Sequence, residues 1–282
     1  MMSDTRVVTA DQDKAWRLLD AQNKALALFN EIERELLRPG VSEKQLSDEI
    51  HDLGRTRFGI KTHWHKRVVR SGPNTLKPYS ESLTDRIIEE DDILFVDLGP
   101  IFEAWEADFG RTYVLGNDPA KLKLRDDLHI IWRKMKEAFW ENDNMTGDDL
   151  YAISSLEAKE AGYTFGAEIA GHLVGSFPHE RIPRDKVSLY IMPGNKVRMI
   201  NKGKDGLQRH WILEIHLHDY ENGFGGFMEQ LLTVDEGGVS VSDCQRLLPQ
   251  KTTCLVTDAR YNSRYRIISN QIRTRHQFLL PL

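Results

Sequence analysis

Acidic side chains interrupt apolar segments at four places in this 282-residue sequence. Asp97 lies near the end of residues 93–98, Asp108 follows eleven residues later, and Glu214 and Glu229 stand in two later apolar runs. A carboxylate buried without a partner costs several kcal/mol, and two carboxylates held close raise each other's pKa. The pattern therefore predicts that these acids converge on positive charge, which a divalent metal ion would supply.

The pair Asp97 and Asp108, taken alone, has a simpler explanation. A salt bridge from Asp97 to Arg111, with Asp108 at the surface, would account for both acids. If the two strands that carry them form a hairpin, both carboxylates can instead lie on one face of the sheet. The pair by itself favours the salt bridge, whereas the later segments around His172, Glu214 and Glu229 favour a metal site.

Histidines accompany the later acidic segments. His172 and His179 are seven residues apart in a stretch rich in glycine and proline, and His216 and His218 fall on the strand face of Glu214. A neutral imidazole is a good ligand for divalent metals. Carboxylates together with one imidazole suit Mn, Fe, Co or Zn.

The elements that would position these residues follow from hydrophobic periodicity. Two helix starts carry capping-box pairs, Ser42 with Gln45 and Thr146 with Asp149. Predicted helices cover residues 12–38, 42–53, 120–140 and 147–161, and predicted strands cover 67–70, 93–98, 105–115, 211–217 and 227–234.

The order of these elements predicts one α+β domain with a mostly antiparallel sheet and helices packed on one side. A helix-then-strand order occurs twice, which suggests an internal duplication. We expect an N-terminal tail over residues 1–11, the domain over 12–242 and a C-terminal extension over 243–282. Residues 187–200 are expected to hold one or two short strands.

Composition excludes several classes of function. The net charge is −5 and no stripe of lysine and arginine is present, so we expect no nucleic-acid partner. No apolar run approaches the roughly 20 residues that span a bilayer, and no secretory signal is evident. Two cysteines without metal-site spacing indicate a reducing compartment, so a cytoplasmic location is expected.

The ordered set of acids and histidine resembles the superfamily of methionine aminopeptidases, Xaa-Pro peptidases and creatinases. That superfamily carries Asp, Asp eleven residues later, His, Glu and Glu in this order, and the similarity covers roughly residues 12–235. Further matching segments are Asp108 to Gly116, His172-x-x-Gly175, His179-Glu180 and Arg38-Pro-Gly-Val-Ser-Glu. The resemblance implies the pita-bread fold, a curved and mostly antiparallel sheet with helices on its outer face and an internal pseudo-twofold.

The resemblance also implies a role for each residue. Asp97 would chelate one of two divalent ions (Mn, Fe, Co or Zn), Asp108 and Glu229 would bridge both, and His172 and Glu214 would complete the second ion's ligands. The ions would activate a water for hydrolysis of a C–N bond. Glu214 would pass a proton to the leaving amine, and a further catalytic residue, His179, would hydrogen-bond the substrate carbonyl.

Departures from the superfamily pattern bear on the substrate. Tyr79 stands where Xaa-Pro peptidases carry a histidine, Glu214 is not followed by proline, and the large N-terminal domain of those peptidases does not fit before residue 12. We expect Tyr79, His65 and His216 to contact the substrate. A packed loop at residues 63–65 and a solvated strand end at His216 remain alternatives.

The leading hypothesis from the sequence is a metal-dependent hydrolase acting on a dipeptide or a small amide. One alternative is a metal-assisted lyase acting on a small organic acid. Another is a pita-bread protein that binds a partner without catalysis, although four acids near one another without metal would be costly. A homodimer is expected, with the open side of the pocket and the apolar C-terminal end at its interface.

Overall fold

The computed structural model describes residues 8–182, 185 and 187–235. It contains four α-helices, a 3-10 turn at Gly72–Leu76 and nine strands in the described residues. The helices are α1 (Ala10–Glu35), α2 (Glu43–Arg57), α3 (Pro119–Trp140) and α4 (Gly147–Glu160). The strands are β1 (Val68–Ser71), β2 (Ile93–Leu98), β3 (Ile101–Phe102), β4 (Trp105–Glu106), β5 (Phe109–Val114), β6 (Thr164–Phe165), β7 (Leu173–Val174), β8 (His210–Asp219) and β9 (Phe224–Leu231).

The helices begin where side chains can accept from free backbone N–H groups. Thr146 and Asp149 form the predicted reciprocal capping box at α4. At α2, Ser42 accepts from the Gln45 backbone N–H, but the Gln45 side chain donates to Glu49, so only half of the predicted capping box forms. Helix α1 is shifted toward the N-terminus relative to its prediction, because Thr9 caps it. The expected C-terminal extension, residues 243–282, lies outside the described residues.

Seven strands form one antiparallel sheet in the order β1-β2-β5-β9-β8-β6, with β7 also paired to β8. The two halves of this strand order are related by an approximate twofold symmetry. Two hairpins, β2-β5 and β8-β9, meet through their second strands at the centre, and each is preceded in the chain by two helices. The predicted α+β class with an antiparallel sheet is confirmed, and this strand order fits the expected internal repeat.

Three predicted strand assignments are wrong in detail. The strand expected over 105–115 is divided into β4 and β5, because the chain leaves the ladder between them. The last strand begins at Phe224 rather than at residue 227, so Gly225 and Gly226 also pair with β8. Residues 187–200 form turns and isolated bridges, and their described part contains no strand.

Alternate residues of the central strands face opposite sides of the sheet, and this alternation separates core from site. On β8, residues Leu213, Ile215 and Leu217 pack with α3 and α4. On β2, residues Leu94, Val96 and Leu98 pack with α1 and α2. The acids between them therefore face the other side. No helix in the described part of the chain is long and apolar enough to cross a membrane.

Candidate metal centre

One row of directly opposed residues crosses four strands of the sheet. Asp97 on β2 lies opposite Gly110 on β5, Gly110 lies opposite Glu229 on β9, and Glu229 lies opposite Glu214 on β8. Opposed residues share a face, so the three carboxylates point to the same side. Gly110 leaves space between them, because a Cβ there would come within 2.2 Å of the Phe227 ring.

Asp108 and His172 lie outside the paired residues of the ladder, but their side chains contact this row of carboxylates. Asp108 immediately precedes β5, and its Oδ2 lies 2.9 Å from Nε2 of His172. The same His172 nitrogen lies 3.6 Å from Glu214 Oε1 and 3.7 Å from Glu229 Oε1. Together with Asp97, the five residues predicted as metal ligands therefore converge, and all five are buried.

His65 joins the cluster from the loop before β1. Its Nε2 lies 3.0 Å from Asp108 Oδ1 and 3.5 Å from Asp97 Oδ1. His65 is predicted from the sequence to contact substrate, and in the structure it lies directly against two of the acids. Two groups of possible ligands thus arise, one of His65, Asp97 and Asp108, the other of Asp108, His172 and Glu229.

The titration behaviour of these groups reflects crowded charge in a buried site. Burial raises the pKa of Asp97 to about 7 against the opposing charge of His65, and burial with nearby carboxylates raises that of Glu229 well above its usual range. Burial disfavours the charged forms of Asp108 and His65, yet their mutual attraction outweighs it. The two imidazoles lower the Asp108 pKa to about 2, and Asp97 and Asp108 raise that of His65 to about 9.

Two buried carboxylate oxygens without hydrogen-bond donors, within the part of the chain that the structure describes, indicate that a cation would fit at this site. Among the described residues, the buried atoms Asp97 Oδ1 and Glu229 Oε2 find no hydrogen-bond donor. Buried polar atoms are normally paired, so each such atom needs an explanation. A divalent ion would coordinate both oxygens and stabilise the charged forms of Asp97 and Glu229, whose pKa values burial and the neighbouring carboxylates raise. The donor set of carboxylates and imidazoles suits Mn, Fe, Co or Zn.

His179 lies beside the cluster and is oriented by Glu106. The His179 ring stacks on His172 with centroids 6.2 Å apart. Glu106 is buried, and it accepts hydrogen bonds from the backbone N–H groups of Gly175 and His179 and contacts His179 Nδ1 at 2.9 Å. Glu106 is not among the residues predicted from the sequence, where its spacing of two residues from Asp108 is the available signal.

Trp64 packs edge-on against three imidazoles. Its ring centroid lies 4.6, 5.0 and 5.6 Å from those of His65, His172 and His179. Gly99 makes this approach possible, because a Cβ there would lie 2.2 Å from His65 Cδ2 and 2.4 Å from Trp64 Nε1. The loop at residues 63–65 is therefore packed, and it is also part of the wall of the site.

Arg111 does not pair with Asp97. Its guanidinium donates to the backbone oxygens of Gly110 and Glu229 and to Gln230, on the side of the sheet away from the acids. Burial lowers the Arg111 pKa to about 10. The salt bridge considered from the sequence is thus excluded.

Comparison with known proteins now decides the family. The sequence pattern described as metallopeptidase family M24 matches residues 17–244, most of the chain. The chain belongs to metallopeptidase family M24. The resemblance stated from the ordered acids and histidine is confirmed.

Curated relatives of this M24 chain include Xaa-Pro dipeptidases. That of Pyrococcus furiosus is 26% identical over 148 residues, covering 52% of this chain and 41% of the relative. That of Lactobacillus delbrueckii subsp. lactis is 23% identical over 149 residues, covering 52% and 39%. The chain therefore matches less than half the length of these relatives.

Solved structures show the same fold. The prolidase from Pyrococcus furiosus has a TM-score of 0.64 at 20% identity, covering 81% of this chain and 62% of the prolidase. The methionine aminopeptidase from Thermotoga maritima has a TM-score of 0.59 at 14% identity, covering 80% of this chain and 94% of the aminopeptidase. The pita-bread fold expected for the M24 family is confirmed.

The other predicted substrate contacts of this M24 chain surround the cluster at different depths. Tyr79 is half exposed and its ring lies 6.2 Å from that of His65. His216 Nε2 lies 3.2 Å from Glu214 Oε2, so His216 borders the site. His218, on the same strand face, contacts Tyr220 instead.

Proposed function

We propose that the chain is a dinuclear metal-dependent hydrolase that cleaves the C–N bond of a dipeptide or a small amide. The observation that carries the proposal is the position of Asp108. Its two oxygens face opposite ends of one acid cluster, Oδ2 toward His172 and Oδ1 toward the side of Asp97. A carboxylate in this position is suited to bridge two cations.

The residues present fit two divalent ions of Mn, Fe, Co or Zn. Asp97 would hold one ion and His172 with Glu214 the other, while Asp108 and Glu229 would bridge them. When bound, such ions lower the pKa of a water and polarise the scissile carbonyl. The unpaired oxygens of Asp97 and Glu229, and their raised pKa values, support this assignment.

The chain's own groups supply proton transfer and orientation. Glu214 would take a proton from the attacking water and deliver it to the leaving amine nitrogen. His216, at 3.2 Å from Glu214, orients that carboxylate. His179 would hydrogen-bond the substrate carbonyl, with its ring held by Glu106 so that Nε2 is the free nitrogen.

A dipeptide is the first substrate to test, because the curated relatives include Xaa-Pro dipeptidases. The loop that carries Trp64 and His65 packs against the histidines of the site and so reduces the space for substrate on that side, which favours a small substrate. The homodimer and the cytoplasmic location expected from the sequence remain predictions. Sedimentation of the purified chain tests the first of them.

Removal of the shared ligand tests the proposal. Asp108→Ala should abolish metal-dependent cleavage in a screen of dipeptides and small amides, with the fold retained by circular dichroism. Asp118→Ala is the control, because Asp118 accepts hydrogen bonds from the backbone N–H groups of Ala120 and Lys121 at the start of α3, so its loss costs about 1 kcal/mol of stability and removes no group of the acid cluster. Unchanged turnover in Asp108→Ala would refute the proposal, and ¹⁸O from labelled water in the product separates hydrolysis from a lyase reaction.

A further inference from the structure

The Asp108 carboxylate is flanked by two imidazoles, one on each oxygen. His172 Nε2 lies 2.9 Å from Oδ2, and His65 Nε2 lies 3.0 Å from Oδ1. The His65 side chain is 10% exposed, nearly as buried as that of His172 at 9%. The surroundings of the two rings are therefore alike, although only His172 corresponds to a residue of the metal-binding pattern.

Both rings also have the same orienting hydrogen bond. Nδ1 of His172 lies 2.8 Å from the backbone oxygen of Leu173, and Nδ1 of His65 lies 2.7 Å from that of Lys66, in each case the next residue. A carbonyl only accepts, so Nδ1 carries the proton and donates it. Without an ion, Nε2 of each ring donates to Asp108 as well. An ion in place of that proton would be bound by the Nε2 lone pair while Nδ1–H stays on the carbonyl, which is the arrangement found in metal-ligating histidines.

The distances suit a shared ion. Ligand atoms about 2.1 Å from one ion, at ordinary coordination angles, lie roughly 3.0–3.4 Å apart. His65 Nε2 is 3.0 Å from Asp108 Oδ1 and 3.5 Å from Asp97 Oδ1. Asp97 Oδ1 is also the buried oxygen that has no hydrogen-bond donor among the described residues.

The backbone is shaped to admit the ring. At Gly99, two residues after Asp97, a Cβ would lie 2.2 Å from His65 Cδ2, so only glycine lets the ring approach this closely. Trp64 packs against the His65 ring on another side, with centroids 4.6 Å apart. The ring is thus confined with its Nε2 directed at the two aspartates.

The geometry points to His65 as a sixth metal ligand, bound through Nε2 to the ion held by Asp97 and Asp108. The inference rests on the dinuclear centre proposed above. It gives each ion one imidazole, where the M24 pattern supplies one imidazole to the pair. A nitrogen donor favours borderline ions such as Zn or Co over Mg or Ca at that position.

Cobalt binding to the full chain tests the assignment without relying on activity. The metal-free protein is titrated with Co²⁺, and solvent-exchangeable paramagnetically shifted imidazole N–H resonances are counted by proton NMR. The wild type should take up about two ions and show two such resonances, from His65 and His172. His65→Ala should lose one resonance and bind one ion at least tenfold more weakly, because a ligand is removed.

His51→Ala is the matched control, since His51 lies on α2 and contacts Arg67 rather than the acids. It should keep both resonances and both affinities. If His65→Ala does not fold, nitrogen-15 shifts of the histidines in the Zn²⁺-loaded wild type give the same answer, with two Nε2 atoms expected to shift. One shifted Nε2, or a His65→Ala that binds two ions as the wild type does, overturns the assignment. A wild type that binds neither ion refutes the proposed function instead.

Discussion

Gly110 lies directly opposite Glu229 in the ladder between β5 and β9, and this pairing allows acids from both hairpins to meet. A side chain at residue 110 would stand in the row between Asp97 and Glu229. An added Cβ would lie 2.2 Å from the Phe227 ring and 3.2 Å from Glu229 Cβ. The arrangement of the acids at the centre of the sheet therefore requires glycine at position 110, because any side chain there would displace its neighbours.

We expect Gly110→Ala to displace Phe227 and Glu229, with a loss of about 1–3 kcal/mol in stability from overpacking. Metal uptake should fall with it, which calorimetric titration would measure. Gly223→Ala is the control, because its Cβ meets no atom within 4 Å while its φ of 77° is strained for alanine. The control should lose a comparable stability and keep full metal uptake; equal uptake in both variants would contradict the expectation.

The positions of the acids could be predicted because charge inside an apolar strand is conspicuous. Asp97 and Glu214 each interrupt a strand whose boundaries were nearly correct, and strand alternation alone places them opposite the core. Gly110 was not identified, since its importance arises from the register between β5 and β9. A contact of residues 119 apart in sequence cannot be inferred from local periodicity.

His65 and Glu106 show a second limit of sequence reasoning. His65 lies in a polar loop without periodicity, so nothing local indicated that its ring reaches the acids. Glu106 appeared to belong to one continuous strand with Asp108. The chain instead leaves the strand pairing at Ala107, whose backbone N–H donates to the backbone oxygen of Pro100. Glu106 therefore points toward the loop that carries His179.

The metal-free protein should lose stability as pH rises from 7 to 9. Asp97 and His65 have folded-state pKa values of about 7 and about 9, above their ordinary values, so the folded chain binds more protons than the unfolded chain in this range. Each such group reduces stability by up to about 1.4 kcal/mol per pH unit within its window. Buried histidines with lowered pKa values, such as His210 at about 3, act only below their ordinary pKa and do not oppose the trend.

Thermal melts of chelator-treated protein measure this effect. The Tm should fall by roughly 2–4 °C per pH unit between pH 7 and 9. With saturating Zn²⁺ the fall should disappear, because the ion replaces the protons that Asp97 and His65 would bind. Parallel curves with and without metal would contradict the interpretation of these pKa shifts.

Glu106→Ala should impair catalysis while leaving metal uptake intact. The substitution leaves the backbone N–H groups of Gly175 and His179 without their acceptor and frees the His179 ring. Loss of a group that orients an active-site histidine typically costs about tenfold to a hundredfold. The reduction should appear in kcat, with two ions still bound.

A conservative variant separates orientation from folding. Glu106→Gln retains one oxygen, which can accept from the His179 backbone N–H, but it replaces the other oxygen and removes the charge beside His179 Nδ1. It should restore stability and alter the pH profile of kcat. If Glu106→Gln and the wild type give the same profile while Glu106→Ala is merely unstable, Glu106 has a structural role alone.

Tyr79→His should change substrate preference more than metal binding. The ring is half exposed, 6.2 Å from His65, and it stands where Xaa-Pro peptidases carry a histidine. A phenol donates a hydrogen bond but is not a cation at neutral pH, whereas a histidine can be one. The ratio of kcat/KM between dipeptides and small amides should therefore shift, with metal stoichiometry unchanged. Tyr79→Phe isolates the hydroxyl: if it reproduces the shift, the hydrogen bond of Tyr79 is responsible, and if neither variant changes any ratio, Tyr79 does not contact the substrate.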